Sequence, residues 1–313
     1  MPFRLPPPTE RASHILLDGI VDYAGLFPPA SLDLPKAVRN YAHYRAGGTG
    51  WMLGRFICPA AHLEAFSACA DPLLPRDAGA IPWRLSVTGT GDVAADLRAI
   101  AAFNERHRVC FEECGAKVDA YEVKVASVQE IIALHEQLPA TLDVYFEVPL
   151  DATVDVLVPA IAGTGRRAKM RTGGVVADAF PPAAAIVRFL RALVAHDVAA
   201  KATAGLHHPL CGAYRLTYAP DAATARMFGM LNVLLAAAAI AKGGSDVDAL
   251  LLLDESNAAS IDITDMQVAW HGPDRIMTMS RALLQQVRER VLVSVGSCSF
   301  TEPVDEHRAF GWI

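Results

Sequence analysis

Three short segments decide the fold: Asp143–Val148 (DVYFEV), Ala168–Thr172 (AKMRT) and Ala199–Thr203 (AAKAT). Each is rich in apolar residues and carries charged or hydroxyl residues toward its C-terminal end. Between them lie two helical patterns, Ala152–Ile161 and Ala183–Ala195. Strands that alternate with helices predict a parallel sheet. Working outward, strands are expected at Trp51–Cys58, Trp83–Thr88 and Ala120–Val125 on one side, and at Ala249–Asp254 and Leu292–Ser297 on the other. Helices are expected at Ala61–Ala70, Val93–Arg106, Val128–Leu138, Ala223–Ala241 and Arg281–Arg290. Eight strands are what a closed (β/α) barrel needs. A doubly wound open sheet is the alternative. Polar residues gathered at the C-terminal strand ends, where barrel active sites lie, favour the barrel. The predicted class is α/β: a single (β/α)8 TIM-type barrel over residues 50–313, with an N-terminal helical extension, residues 1–49, packing on it.

Composition agrees. Of 313 residues, 52% are hydrophobic and 20% charged, which excludes a mainly disordered chain. The net charge of −6 argues against a nucleic-acid partner. The most apolar stretch, Phe228–Ala241, is too short for an ordinary membrane span and contains Asn232, so it predicts a buried helix and no membrane partner. Such a helix also allows packing against a second copy of the chain, a homo-oligomer. The first residues lack the apolar core of a secretory signal. Six cysteines in a chain this long do not make a disulfide scaffold, so a reduced, cytoplasmic protein is expected. Cys110 and Cys114 have no second pair nearby to complete a zinc site.

The chemistry lies in same-face pairs. On a strand, residues two apart project to one side. Lys169 and Arg171 form one such pair and lead into Thr172-Gly173-Gly174, whose backbone suits an anion. Lys201 and Thr203 form another and lead into His207-His208. A lysine among alanines, near a second ammonium, is expected to have a depressed pKa and to serve as a nucleophilic amine. Adjacent histidines suit proton transfer and substrate or metal contact. Glu122 and Lys124 share a face, and Glu147 is expected at the mouth as a base, a metal ligand or a salt-bridge partner. Arg55 adds another cation among apolar residues. Ser297 and Ser299, after Gly296, resemble the phosphate cradle of many barrels. Asp254-Glu255 suits proton transfer, a metal or a turn cap. Cys298 reads as a buried small residue without a clear histidine partner. The long segment Ser256–Met279 reads as a lid or contact surface.

Gly89-Thr-Gly91-Asp-Val-Ala94 matches GxGxxA between a strand and a helix. It falls at the second predicted strand, and the next strand-end acid, Glu122, lies farther on than a dinucleotide fold places it. Nicotinamide binding is not expected.

The motifs Lys169-Met-Arg-Thr-Gly-Gly174, Lys201-Ala-Thr-Ala-Gly-Leu-His-His-Pro209 and Gly296-Ser-Cys-Ser-Phe-Thr-Glu-Pro303, with Asp22-Tyr-Ala-Gly-Leu-Phe-Pro-Pro29, resemble those of an uncharacterised bacterial protein family. A strand-six lysine with a second lysine nearby also resembles Schiff-base aldolase-type barrels, although their own motifs are absent. That resemblance implies a lyase acting on a small anionic carbonyl compound, carboxylated or phosphorylated. Lys201 would be the amine, Lys169 would tune it, and Glu147 and His207 would move protons. Arg171, Thr172, Gly173, Gly174, Lys124, Arg55, Thr203, His208, Ser297 and Ser299 would bind substrate, with no cofactor. The alternatives are an enzyme holding a divalent metal through Glu147, His207, His208 and Asp254, and a non-catalytic small-anion binder.

Overall fold

The computed structural model describes residues 11–77, 79–108 and 115–313. Cys110 and Cys114 lie outside the described residues. Eight strands are β1 (Val21–Tyr23), β2 (Leu53–Pro59), β3 (Trp83–Thr88), β4 (Ala116–Lys124), β5 (Asp143–Glu147), β6 (Arg167–Arg171), β7 (Ala200–Thr203) and β8 (Leu292–Ser297). They form a closed, all-parallel barrel in which β8 pairs with both β7 and β1. Eleven helices among the described residues accompany them: α1 (Ala12–Leu17), α2 (Leu34–Ala46), α3 (Leu63–Ala70), α4 (Val93–Arg106), α5 (Val128–Gln137), α6 (Val154–Thr164), α7 (Ala183–His196), α8 (Met230–Ala241), α9 (Asp246–Asp254), α10 (Arg281–Arg290) and α11 (Thr301–Ala309).

The barrel is the predicted one, but one strand comes from elsewhere. The stretch Ala249–Asp254, expected as a strand, belongs to helix α9. Four consecutive leucines cannot distinguish a buried strand from a buried helix by periodicity. The deciding signal is upstream: Ser245 accepts from the Asp248 amide while Asp248 accepts from the Ser245 amide, a reciprocal cap that starts a helix. The missing strand is Val21–Tyr23, inside the segment expected to pack on the barrel from outside. The described part of this segment, from residue 11 on, therefore contributes a strand to the barrel itself. On the outside of β1 and β2, Tyr23, Tyr41 and Phe56 form a ring cluster that seats α2 against the barrel.

Between β7 and β8 the chain makes a long excursion. It contains an antiparallel hairpin (Gly212–Arg215 with Thr224–Met227), α8, α9, a three-stranded antiparallel sheet (Ile261–Ile263, Gln267–His271, Ile276–Ser280) and α10. Met230 through Ile240 of α8 are buried, packed among α7, α9 and α10. The apolar surface that suggested a second copy is thus covered within the chain. No helix among the described residues is long and apolar enough to cross a membrane.

Register explains how the site is assembled. Lys124, Glu147, Lys169 and Lys201 are consecutive partners across β4, β5, β6 and β7. Barrel strands are tilted, so one register row descends from the rim to the interior. Lys124 is exposed at one end of this row, and Lys201 is fully buried at the other.

Candidate active site

Barrel interiors are usually filled by branched apolar side chains. This one holds two tiers of charge. At the N-terminal ends of the strands, Arg55 donates from Nε to Asp119 Oδ1 (2.6 Å) and from Nη2 to Asp143 Oδ2 (2.7 Å). Arg84 completes Asp119 at 2.5 Å and Arg167 completes Asp143 at 2.9 Å. Arg55, expected at the substrate mouth, is committed to this lower tier. Burial opposes its charge, but Asp119 and its neighbours outweigh burial and raise its pKa.

The central tier is a chain of alternating charges. Lys201 Nζ lies 2.6 Å from Asp22 Oδ2 and 2.8 Å from Glu122 Oε1. Lys169 Nζ lies 2.7 Å from Glu122 Oε2 and 2.7 Å from Glu147 Oε2. Ser86 donates to Glu122 (2.5 Å), Ser294 to Asp22 Oδ2 (2.9 Å), and the Arg55 amide to Asp22 Oδ1 (2.7 Å). Tyr145 presents its ring 5.2 Å from the Lys201 ammonium. Burial disfavours the charge on Lys201, yet Asp22 and Glu122 overcome it and raise the pKa above the ordinary lysine value. Glu122 behaves conversely: burial pushes it up, and the two lysines pull it well below the usual carboxylate range. The expected depressed amine at Lys201 is therefore corrected. It is a fully buried ammonium clamped by two carboxylates, with no access to a substrate.

Above this tier, at the C-terminal strand ends, lies a cavity of about 580 Å³. Lys169, Glu122 and Glu147 form its floor. Lys124, Arg171, Thr203, Gly174 and His207 line its sides, with Ala24 and Phe27–Pro29 from the loop after β1. Among the described residues, the side chains of Lys124 and Arg171 have no hydrogen-bond or ion-pair partner. His207 is buried and its pKa is pushed down to about 4, by burial first and then by neighbouring His208. Its Nδ1 lies 2.9 Å from Ser297 Oγ, whose own proton goes to the Ser299 carbonyl (2.6 Å). Nδ1 therefore carries the imidazole proton and Nε2 is the acceptor.

Several other expected site residues lie elsewhere. Thr172 Oγ1 donates to the Ala204 carbonyl (2.6 Å), a tie between β6 and β7. Gly173 makes room for a ring: a Cβ there would lie 2.4 Å from Phe180. Ser297 orients His207. Ser299 Oγ accepts from the Glu302 amide (3.2 Å) at the start of α11, and neither serine lines the cavity. His208 stacks on Tyr214 with ring centroids 3.5 Å apart and lies 2.5 Å from Glu306 Oε1. Asp254, at the end of α9, pairs with Arg226 at 2.6 Å. The four ligands of the metal reading therefore do not converge, and no three His, Cys, Asp or Glu side chains among the described residues form a metal-holding group. Nor does any residue of Ser256–Met279 line the cavity.

Sequence reasoning missed two features. Asp22 lay in a loop without chemical context, and only barrel closure brings it to Lys201. Cys298 does have a histidine partner, His207, at 3.7 Å. Burial raises its thiol pKa to about 11, so it lines the cavity as a neutral thiol. The Gly89–Gly91 turn also borders the cavity, but its anion-binding capacity is spent. The Thr90 amide donates to Asp96 (2.9 Å) and the Ala95 amide to Asp92 (2.9 Å), leaving two carboxylates where a pyrophosphate would lie.

No family model matches the chain, and neither the curated proteins nor the solved structures contain a match to it.

Proposed function

We propose that this protein is a lyase of the aldolase type acting on a small anionic carbonyl compound, with Lys169 as the reacting amine. One observation carries the reading: Lys169 is the lysine on the cavity floor, 2.7 Å from a carboxylate that also faces the cavity, beneath two unpartnered cations. Lys124 and Arg171 hold the substrate anion. Lys169 passes a proton to Glu147, and its nitrogen lone pair attacks the carbonyl carbon. The carbonyl π electrons move to oxygen, which takes that proton back from Glu147. A second proton passes from the nitrogen to the same oxygen through Glu147, and loss of the oxygen as water leaves an iminium, which draws in the electron pair of the breaking carbon–carbon bond. Glu147 moves the proton on the departing or arriving fragment, and His207 Nε2 accepts a substrate hydroxyl. Lys201 is a positioning residue. It holds Glu122, and Glu122 holds Lys169.

Borohydride reduction in the presence of pyruvate or dihydroxyacetone phosphate tests this. Reduction of the imine fixes the probe on nitrogen, and peptide mass analysis is expected to find it on Lys169. Binding of a probe without any adduct favours the non-catalytic anion binder. An adduct on Lys201 sinks the assignment of Lys169.

A further inference from the structure

The cavity has a neighbour. A groove of about 610 Å³ runs beside it, and the two share Lys124, Glu147 and Arg171. Beyond these three, most of the groove wall is apolar: Val125, Val148, Leu150, Phe180 and Pro182. Its other carboxylates are Asp178 and Glu130, and Glu130 already accepts from the Ala126 amide at 2.7 Å.

Lys124 ends β4 and Arg171 ends β6, so they flank the end of β5, where Glu147 is taken by Lys169. Two cations without partners therefore stand on the wall between a polar cavity and an apolar groove. A ligand matched to that wall carries its charge there and its hydrocarbon in the groove. The hydroxyls of a sugar phosphate would face mostly aliphatic and proline side chains, with Asp178 and Glu130 as the carboxylates left to accept from them, which costs free energy for each hydroxyl left unpaired. Arg171 and Lys169 are two residues apart on one strand, about 6.6 Å along the backbone, so both side chains can reach one small ligand that carries its anion next to its carbonyl.

We propose that the substrate is a 2-oxo carboxylate with an apolar side chain of several carbons. The carboxylate lies between Lys124 and Arg171, the carbonyl faces Lys169, and the side chain fills the groove. The proposal rests on the carbonyl-enzyme reading above and names its substrate class.

The test is calorimetric titration with pyruvate, 2-oxobutyrate, 2-oxopentanoate and 2-oxohexanoate, with glyceraldehyde 3-phosphate as the phosphorylated arm. Burial of each added methylene is expected to tighten binding about fourfold, so the series spans roughly fiftyfold. In Ala126→Trp, which fills the groove from an exposed position, the affinity ratio of longest to shortest acid is expected to fall toward one. Pro182→Asp is the second variant. It places a carboxylate in the groove at the N-cap of α7, where aspartate is favoured, and is expected to lower the same ratio. If pyruvate binds but the series is flat, the groove proposal fails and the cavity reading stands. A chain-length gain that survives in both variants places the side chain elsewhere and overturns the proposal. Tighter binding of the phosphorylated probe than of every acid overturns the substrate class. No binding of any probe removes both readings.

Discussion

The two ends of the barrel interior use the same residue types to opposite effect. At the N-terminal end, Arg55, Arg84 and Arg167 share Asp119 and Asp143 in bonds of 2.5–2.9 Å, and each of these carboxylates has two cationic partners. At the C-terminal end, the floor lysine is equally well paired, but Lys124 and Arg171 are not, and a cavity of about 580 Å³ opens beside them. Buried charge alone therefore does not mark a site. The candidate site lies instead where exposed charge without a protein partner borders empty volume, open to a ligand as well as to water.

The largest expected effect breaks the tier that joins the two ends. Lys201→Met leaves Asp22 and Glu122 buried without their shared cation and is expected to cost about 3–5 kcal/mol of stability in urea unfolding. A loss below about 1 kcal/mol would contradict the clamp. Next comes acid. His207 is neutral in the folded protein with a pKa of about 4, against 6.5 unfolded, and His307 is held down to about 4 in the same way. The unfolded chain therefore takes up protons first. The full contribution is present above pH 6.5 and is lost as pH falls toward 4, on the order of 3 kcal/mol per histidine. Removing one of these histidines, as in His207→Gln, should flatten the stability-against-pH slope in that window. An unchanged slope would show that His207 is not held neutral by burial.

Arg55→Met and Arg171→Met sharpen the comparison directly. Arg55→Met removes one partner from Asp119 and one from Asp143, but Arg84 and Arg167 remain, so a loss of about 1–3 kcal/mol is expected. Its affinity for an anionic probe such as pyruvate should be little altered. Arg171→Met should behave inversely: a stability change within about 0.5 kcal/mol, and probe affinity about tenfold weaker. If both variants lose affinity equally, the distinction between the two ends is wrong.

Much of this was legible in local sequence. Lys169, Arg171, Glu147, Lys124 and Thr203 announced themselves as charged or hydroxyl residues at strand ends, and the two-residue period placed them on one face. What sequence left open was which lysine meets solvent. Lys169 and Lys201 are register partners on adjacent strands, and their difference comes from the tilt of the row and from Asp22, 179 residues away from Lys201. The same distance hid β1, a three-residue strand too short for a periodic signal. At α9, the capping residues Ser245 and Asp248 carried the correct signal, but the leucine run outweighed them.

Asp22 also fixes the order of assembly. Its Oδ1 has an early partner in the Arg55 amide, but the partners of Oδ2, Lys201 and Ser294, sit on the last two strands of the barrel to leave the ribosome. Until they emerge, the nascent sheet has two open edges, and a carboxylate destined for the interior must stay hydrated. The final ammonium and hydroxyl therefore act as a latch: the cylinder cannot shut around a dry Asp22 before β8 exists. This late, long-range step leaves the edge strands of the nascent sheet to be protected until β8 has been made.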